Sequence, residues 1–107
     1  MNARHAAALA LIGWYLMAPP VRQPEREPAY VDEHAAYRDW KNLHNFNTAD
    51  ECEAGRAQAK SDAENGKFTA FDGGYAGVIG DGDPAPWLSQ QIEAECIAAD
   101  DPRLKPK

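Results

Sequence analysis

The sequence predicts a small α+β domain held by one disulfide and preceded by an apolar N-terminal helix. Three observations predict it: a helix-capping pattern at Thr48 and Glu51, a single pair of cysteines at Cys52 and Cys96, and an uncharged apolar run over residues 6–18. At 107 residues the chain holds one domain and one modest core. The candidate core is short: Trp40, Leu43, Phe46, Phe68, Phe71, Val78, Ile79, Trp87, Leu88, Ile92 and Ile97, with the two cysteines.

The N-terminal run follows Arg4 and has the length of a signal-peptide h-region, so residues 1–18 read as a signal peptide or a signal anchor. The small-x-small pattern of a cleavage site is absent, because Leu16 sits two before Ala18 and Pro19 follows it. As a retained helix, residues 6–21 would span roughly 24 Å, short of a ~30 Å hydrocarbon core but tolerable with local thinning. Trp14 and Tyr15 are residue types that favour a membrane interface. The alternative, a buried helix of a cytosolic protein, finds no large core in the rest of the chain to receive it. The next stretch, residues 19–29, carries Pro19, Pro20, Pro24 and Pro28 among charges and reads as an extended, polyproline-like linker.

The domain proper is expected over residues 30–101, followed by a charged tail at 102–107. One or two helical turns over 30–37 lead to a short extended segment at 39–46. Thr48-Ala49-Asp50-Glu51 is then a capping box, in which the Thr hydroxyl takes the Glu51 amide and the Glu carboxylate returns to the Thr48 amide. The helix begins at Ala49 and stops at Asn65-Gly66, with Cys52, Ala59 and Ala63 on one face and Gly55 as a weak point. The glycine-rich stretch at 66–84 reads as loop, with a short strand at most over 75–79. Ser89 could cap a last helix over 90–95, stacking Leu88, Ile92 and Cys96 at i, i+4 and i+8.

Two cysteines in an exported chain form one disulfide as a rule, and a Cys52–Cys96 loop of this length contributes about 4 kcal/mol in the chain-entropy account. A reactive thiol or a metal site with His34 and His44 are the alternatives, but the spacings match no zinc pattern and no metal or other cofactor is expected. The formal charge of −6, without a basic run, argues against nucleic acid as a partner. Asp72, Asp81 and Asp83 fail the calcium-loop spacing. Asp100 and Asp101 invite a reading as an acid/base pair, but Arg103 beside them favours a salt bridge that pins the tail. No serine or cysteine stands in a nucleophile context, so no catalytic residue is named and no enzyme is expected. Trp40, Phe46 and Trp87 either line a ligand groove or form the core, and a domain with so few large apolar residues favours the core.

Several motifs together resemble a family of small exported bacterial proteins with no assigned function. They are the apolar segment ending in Gly-Trp-Tyr-Leu-Met-Ala-Pro-Pro, the Trp40-x5-Phe46-x-Thr48-Ala49-x2-Cys52-Glu53 core, and Cys96-Ile97-x2-Asp100-Asp101-Pro102-Arg103-Leu104-Lys105. The resemblance implies a strand leading to the last cysteine, in place of the helical stripe that ends there. A helix stopping near Glu93 and a strand over 95–98, paired with 39–43, accommodates both. It also implies that the 66–84 stretch is a variable insertion. The expected role is a non-enzymatic envelope protein of the periplasm or the periplasmic face of the cytoplasmic membrane. It would be an accessory subunit of a larger membrane complex, contacting the membrane through residues 6–18 if these stay uncleaved. Trp40, Phe46, Trp87, Asp100, Asp101 and Arg103 are the candidate interaction residues. A soluble periplasmic module for a small ligand or metal is the alternative.

Overall fold

The computed structural model describes residues 12–71 and 84–105. Its centre is the stretch Trp14–Ala18, which is a β-strand, β1, and not the end of an apolar helix. The expectation of a signal or membrane helix through residue 18 is therefore corrected for residues 14–18, while residues 6–11 lie outside those described. The reason lies in the two faces of the strand. Trp14, Leu16 and Ala18 point to one apolar cluster, and Tyr15 and Met17 to another. A strand buried on both faces is apolar at every position, so the usual alternation is missing and the run looks like a membrane segment. Among the described residues, no helix is long and apolar enough to cross a membrane.

The proline-rich stretch is folded as well. Val21–Arg22 (β2) and Tyr30–Val31 (β3) pair antiparallel, with Pro24 and Pro28 in the connection between them, where no ladder donor is required. An ion pair from Arg22 Nε to Asp32 (3.2 Å) and a bond from the Asp32 amide to the Pro20 carbonyl (2.9 Å) close this ribbon. Pro19 is fully buried. It is a ribbon packed on the domain, not a stalk.

The expected extended segment is strand β4, Lys41–Phe46, and the strand leading to the second cysteine is β5, Glu95–Ala98. They do not pair with each other. β1 lies between them, giving a three-stranded antiparallel sheet in the order β4-β1-β5, with Leu16 opposite His44 on one side and Cys96 on the other. In place of helical turns over 30–37 there is β3 and then a 3-10 turn at Tyr37–Asp39.

Helix α1, Ala49–Glu64, follows the sequence closely. Thr48 is extended (φ −133°) and its hydroxyl oxygen accepts the Glu51 amide at 3.1 Å. The Glu51 carboxylate accepts from the same hydroxyl (3.1 Å) where the return bond to the Thr48 amide was expected. Gly66 at φ +76° ends the helix in the left-handed conformation that an L side chain resists. Gly55 also has a reason. A Cβ there would collide with the Phe46 ring, so its absence lets β4 lie close to the helix.

Helix α2, Ala85–Ile92, starts at Pro84 rather than Ser89 and ends before Glu93, so Cys96 leaves the helical stripe and sits on β5. The disulfide Cys52–Cys96 joins α1 to β5 with the Cα atoms 6.0 Å apart. Leu16, Ala18, Cys52, Ala59 and Ala94 form the cluster under the helices, and Met17, Trp40 and Ile97 the cluster on the opposite face. Complete burial of Leu16 alone is worth about 1.5–3 kcal/mol. Val78, Ile79, the strand expected over 75–79, and Asp72, Asp81 and Asp83 lie outside the described residues.

Candidate functional site

On the face of the sheet away from α1, irregular chain covers the core and leaves a groove of about 860 Å³. One wall is the segment from Glu33 through the 3-10 turn at Tyr37–Asp39, and the other is the junction of α2 and β5 with Arg56 of α1. Pro102 and Arg103 of the C-terminal 3-10 turn, Pro102–Leu104, line it as well. Trp40 forms part of the groove and of the core beneath it. Its ring is almost wholly buried, meets Tyr37 edge-on at 4.8 Å, and donates from Nε1 to the Ala35 carbonyl at 2.9 Å.

The groove is lined by charges of both signs. Glu33 stands beside Glu93, and Glu95 of β5 lines it too. Glu93 Oε2 is buried and has no hydrogen-bond partner among the described residues. Burial first, and the neighbouring Glu33 second, push the Glu93 carboxyl above the ordinary carboxylate range. Two carboxyl oxygens that face each other bond only when one of them holds a proton. Arg56 donates to the Ala94 carbonyl (3.0 Å) and pairs with Glu53 (3.2 Å).

Arg38, Arg103 and Lys105 also line the groove. Arg103 lies over the Tyr37 ring at 4.5 Å and grips Asp101 through side chain and backbone, with a closest approach of 2.7 Å. The hydrogen bonds from Arg103 hold the Asp101 carboxyl down at about 2. Asp101 also accepts the Arg103 amide, so it acts as a cap for the turn. The salt bridge expected of Arg103 is thus present, made with Asp101, while Asp100 is exposed.

The other sequence candidates sit apart from the groove. Phe46 is half-buried on the helix-covered face, where His44 meets it edge-on and stacks on Phe71 at 5.2 Å. Trp87 is half-buried on α2 and His34 is exposed near β3. No group of three or more His, Cys, Asp or Glu side chains with metal-site geometry occurs among the described residues.

Sequence reasoning missed Glu33, Tyr37, Arg38, Glu93 and Lys105, which meet only because the chain returns twice to the same face. It also missed a buried amide clamp. Gln91 donates to the carbonyls of Ala59 (2.6 Å) and Lys67 (3.3 Å) and accepts from the Thr69 amide (3.2 Å), and Gln90 donates to the Pro19 carbonyl (2.9 Å). The signal was available for Gln91, which lies three residues after Leu88 and shares its stripe on α2.

Comparison with protein families, with curated proteins and with solved structures finds no match to this chain.

Proposed function

We propose that this chain is a non-enzymatic binding domain of an oxidising compartment outside the cytoplasm, in keeping with the resemblance of its motifs to small exported bacterial proteins. It uses the groove beside Trp40 to hold a small ligand. The observation that carries the reading is the groove itself, a concavity of about 860 Å³ beside Trp40, walled by aromatic and charged side chains. Ligand sites take this form, with an apolar base and a few polar groups that orient the guest. The disulfide supports the compartment, because such bonds persist where thiols are not kept reduced.

A role as accessory subunit of a membrane complex drew its support from a free apolar segment. Residues 14–18 lie inside the sheet and residues 6–11 lie outside those described, so the groove is the feature that favours the binding reading over that role. The test is titration of the oxidised protein with the uncharged fluorophore N-phenyl-1-naphthylamine. Saturable binding at one site is expected in the wild type. Ala36→Trp, at an exposed position on the groove wall, should abolish it while leaving the melting temperature unchanged. Equal binding by the variant, or no saturable binding by the wild type, would remove the reading.

A further inference from the structure

The two walls of the groove are held unequally, and one pair of side chains joins them. Glu93 is fixed: it follows α2 directly, its amide donates to the Ser89 carbonyl (3.0 Å), and the carbonyl of the buried Ala94 after it accepts from Arg56 (3.0 Å). Glu33 is exposed on irregular chain between β3 and the 3-10 turn. Its segment is tied to the core through Trp40, which donates to the Ala35 carbonyl at 2.9 Å. The carboxyls of Glu33 and Glu93 stand within hydrogen-bonding reach of each other. Of the other charged groups on the elements around them, Arg56 pairs with Glu53, Arg22 with Asp32 and Arg103 with Asp101, while His34, Arg38, Glu95 and Lys105 are exposed. Glu93 Oε2 is buried and no donor among the described residues meets it, so ionisation puts charge where nothing compensates it.

We propose that Glu33 and Glu93 form a proton latch between the walls: one proton shared by the two carboxyls holds segment 33–37 against the α2–β5 junction, and its loss releases that segment. With the proton present, a carboxylic acid donates to a carboxylate and the pair carries a single charge. Without it two carboxylates face each other, and the exposed Glu33 moves because the neighbours of Glu93 are held by helix, strand and Arg56. Burial and the adjacent Glu33 raise the Glu93 carboxyl, so the latch is closed in acid and opens as pH rises through the folded-state value. Its effect on binding rests on the groove as the ligand site, whereas the movement of the wall does not. A guest that fits the latched groove binds more tightly in acid, by the same linkage.

The experiment is amide hydrogen exchange of the oxidised protein at pH ~4.5 and ~7.5, on either side of a raised carboxyl, corrected for the intrinsic pH dependence of exchange. In the wild type, segment 33–40 should exchange about tenfold faster at the higher pH, the effect of a proton held ten times more tightly in the latched wall than in the open one. Strand β1 should be unchanged, which separates movement of the wall from loosening of the whole fold. Glu93→Gln, whose amide donates to the Glu33 carboxylate at either pH, should stay protected at both. Glu33→Ala, at an exposed position, should exchange fast at both. Equal protection of the wild-type segment at the two pH values overturns the latch, as does a pH difference that survives in Glu93→Gln and so belongs to another group such as His34. N-phenyl-1-naphthylamine, uncharged at both pH values, should bind the wild type about tenfold more tightly in acid and bind Glu93→Gln equally at both. If exchange follows the expected pattern but the probe never binds, the groove reading fails and the latch stands. If the probe binds equally at both pH values and exchange does not change, the latch fails and the groove stands.

Discussion

The two faces of the three-stranded sheet are built by opposite means. The face under α1 is sealed by a regular helix and a covalent bond, with small residues at the contact: Ala18, Cys52, Ala59 and Ala94 are all essentially inaccessible. The other face carries larger side chains, Met17, Trp40 and Ile97, covered among the described residues by 3-10 turns and extended chain. Small residues let a helix approach closely and leave no gap. Irregular chain over bulky residues leaves a concavity, and its rim is free to collect charged groups. Under the proposed function, stability and recognition are separated across a sheet only three strands wide. β1 serves both, because alternate side chains point to each face.

That division can be broken most severely through β1. A chain beginning at Pro19 loses the strand that pairs with both β4 and β5, and both clusters lose their centre. We expect no cooperative thermal transition in such a chain, because losing the middle strand exceeds the ~5–15 kcal/mol that a small domain has in total. Circular dichroism during a melt checks this. A folded product starting at Pro19 would mean that β1 is dispensable.

The helix-covered face is tested next by replacing Cys52 and Cys96 together with Ser. The unfolding free energy should fall by about 4 kcal/mol, as expected for releasing a loop with a sequence separation of 44. Urea titration of oxidised wild type and double variant gives the value, and a loss below ~1 kcal/mol would show that the helix face is sealed by packing alone.

A smaller break on the same face is Gly55→Ala. Helix propensity favours alanine by up to about 1 kcal/mol, but the new Cβ runs into the Phe46 ring, and the overpacking should leave the variant about 1–3 kcal/mol less stable. Against a Phe46→Leu background the same substitution should become neutral or stabilising, which isolates the steric cause.

On the groove face the expected effect is smallest and depends on pH. The Glu93 carboxyl is raised in the folded state, so its protonated form favours folding, and that contribution is lost as pH rises through the folded-state value. Glu93→Gln should therefore raise the melting temperature at pH 7, and the gain should vanish below pH ~4, where the wild-type carboxyl is neutral in folded and unfolded chains alike. Asp101 behaves in the opposite sense. Held down at about 2, it favours the fold above its ordinary range and loses that effect as pH falls. A gain for Glu93→Gln that persisted at low pH would place its cause outside ionisation.

Local chemistry made α1 legible. Thr48, Glu51, Asn65 and Gly66 fix its ends through bonds within a few residues, and the small residues on its buried face mark the contact side. The cysteine pairing was legible because a single cysteine pair leaves one connectivity, whereas strand β5 was implied by the family resemblance and not by the residues, whose pattern favoured a helical stripe ending at Cys96. The sequence by itself also determined that Arg103 would find an acidic partner, because Asp101 lies two residues away on the same turn. Only the tertiary structure decided the role of residues 14–18. A strand with core on both faces has no polar alternation to announce it, and β1 enters between two strands that the sequence order would have paired with each other. Only the tertiary structure decided the groove as well. Glu33 and Glu93, or Tyr37 and Arg103, are separated by tens of residues and carry no local signal of the contact. Short-range hydrogen bonds and capping geometry are written in adjacent residues, whereas a site assembled from distant segments of the chain exists only once the sheet has chosen its order.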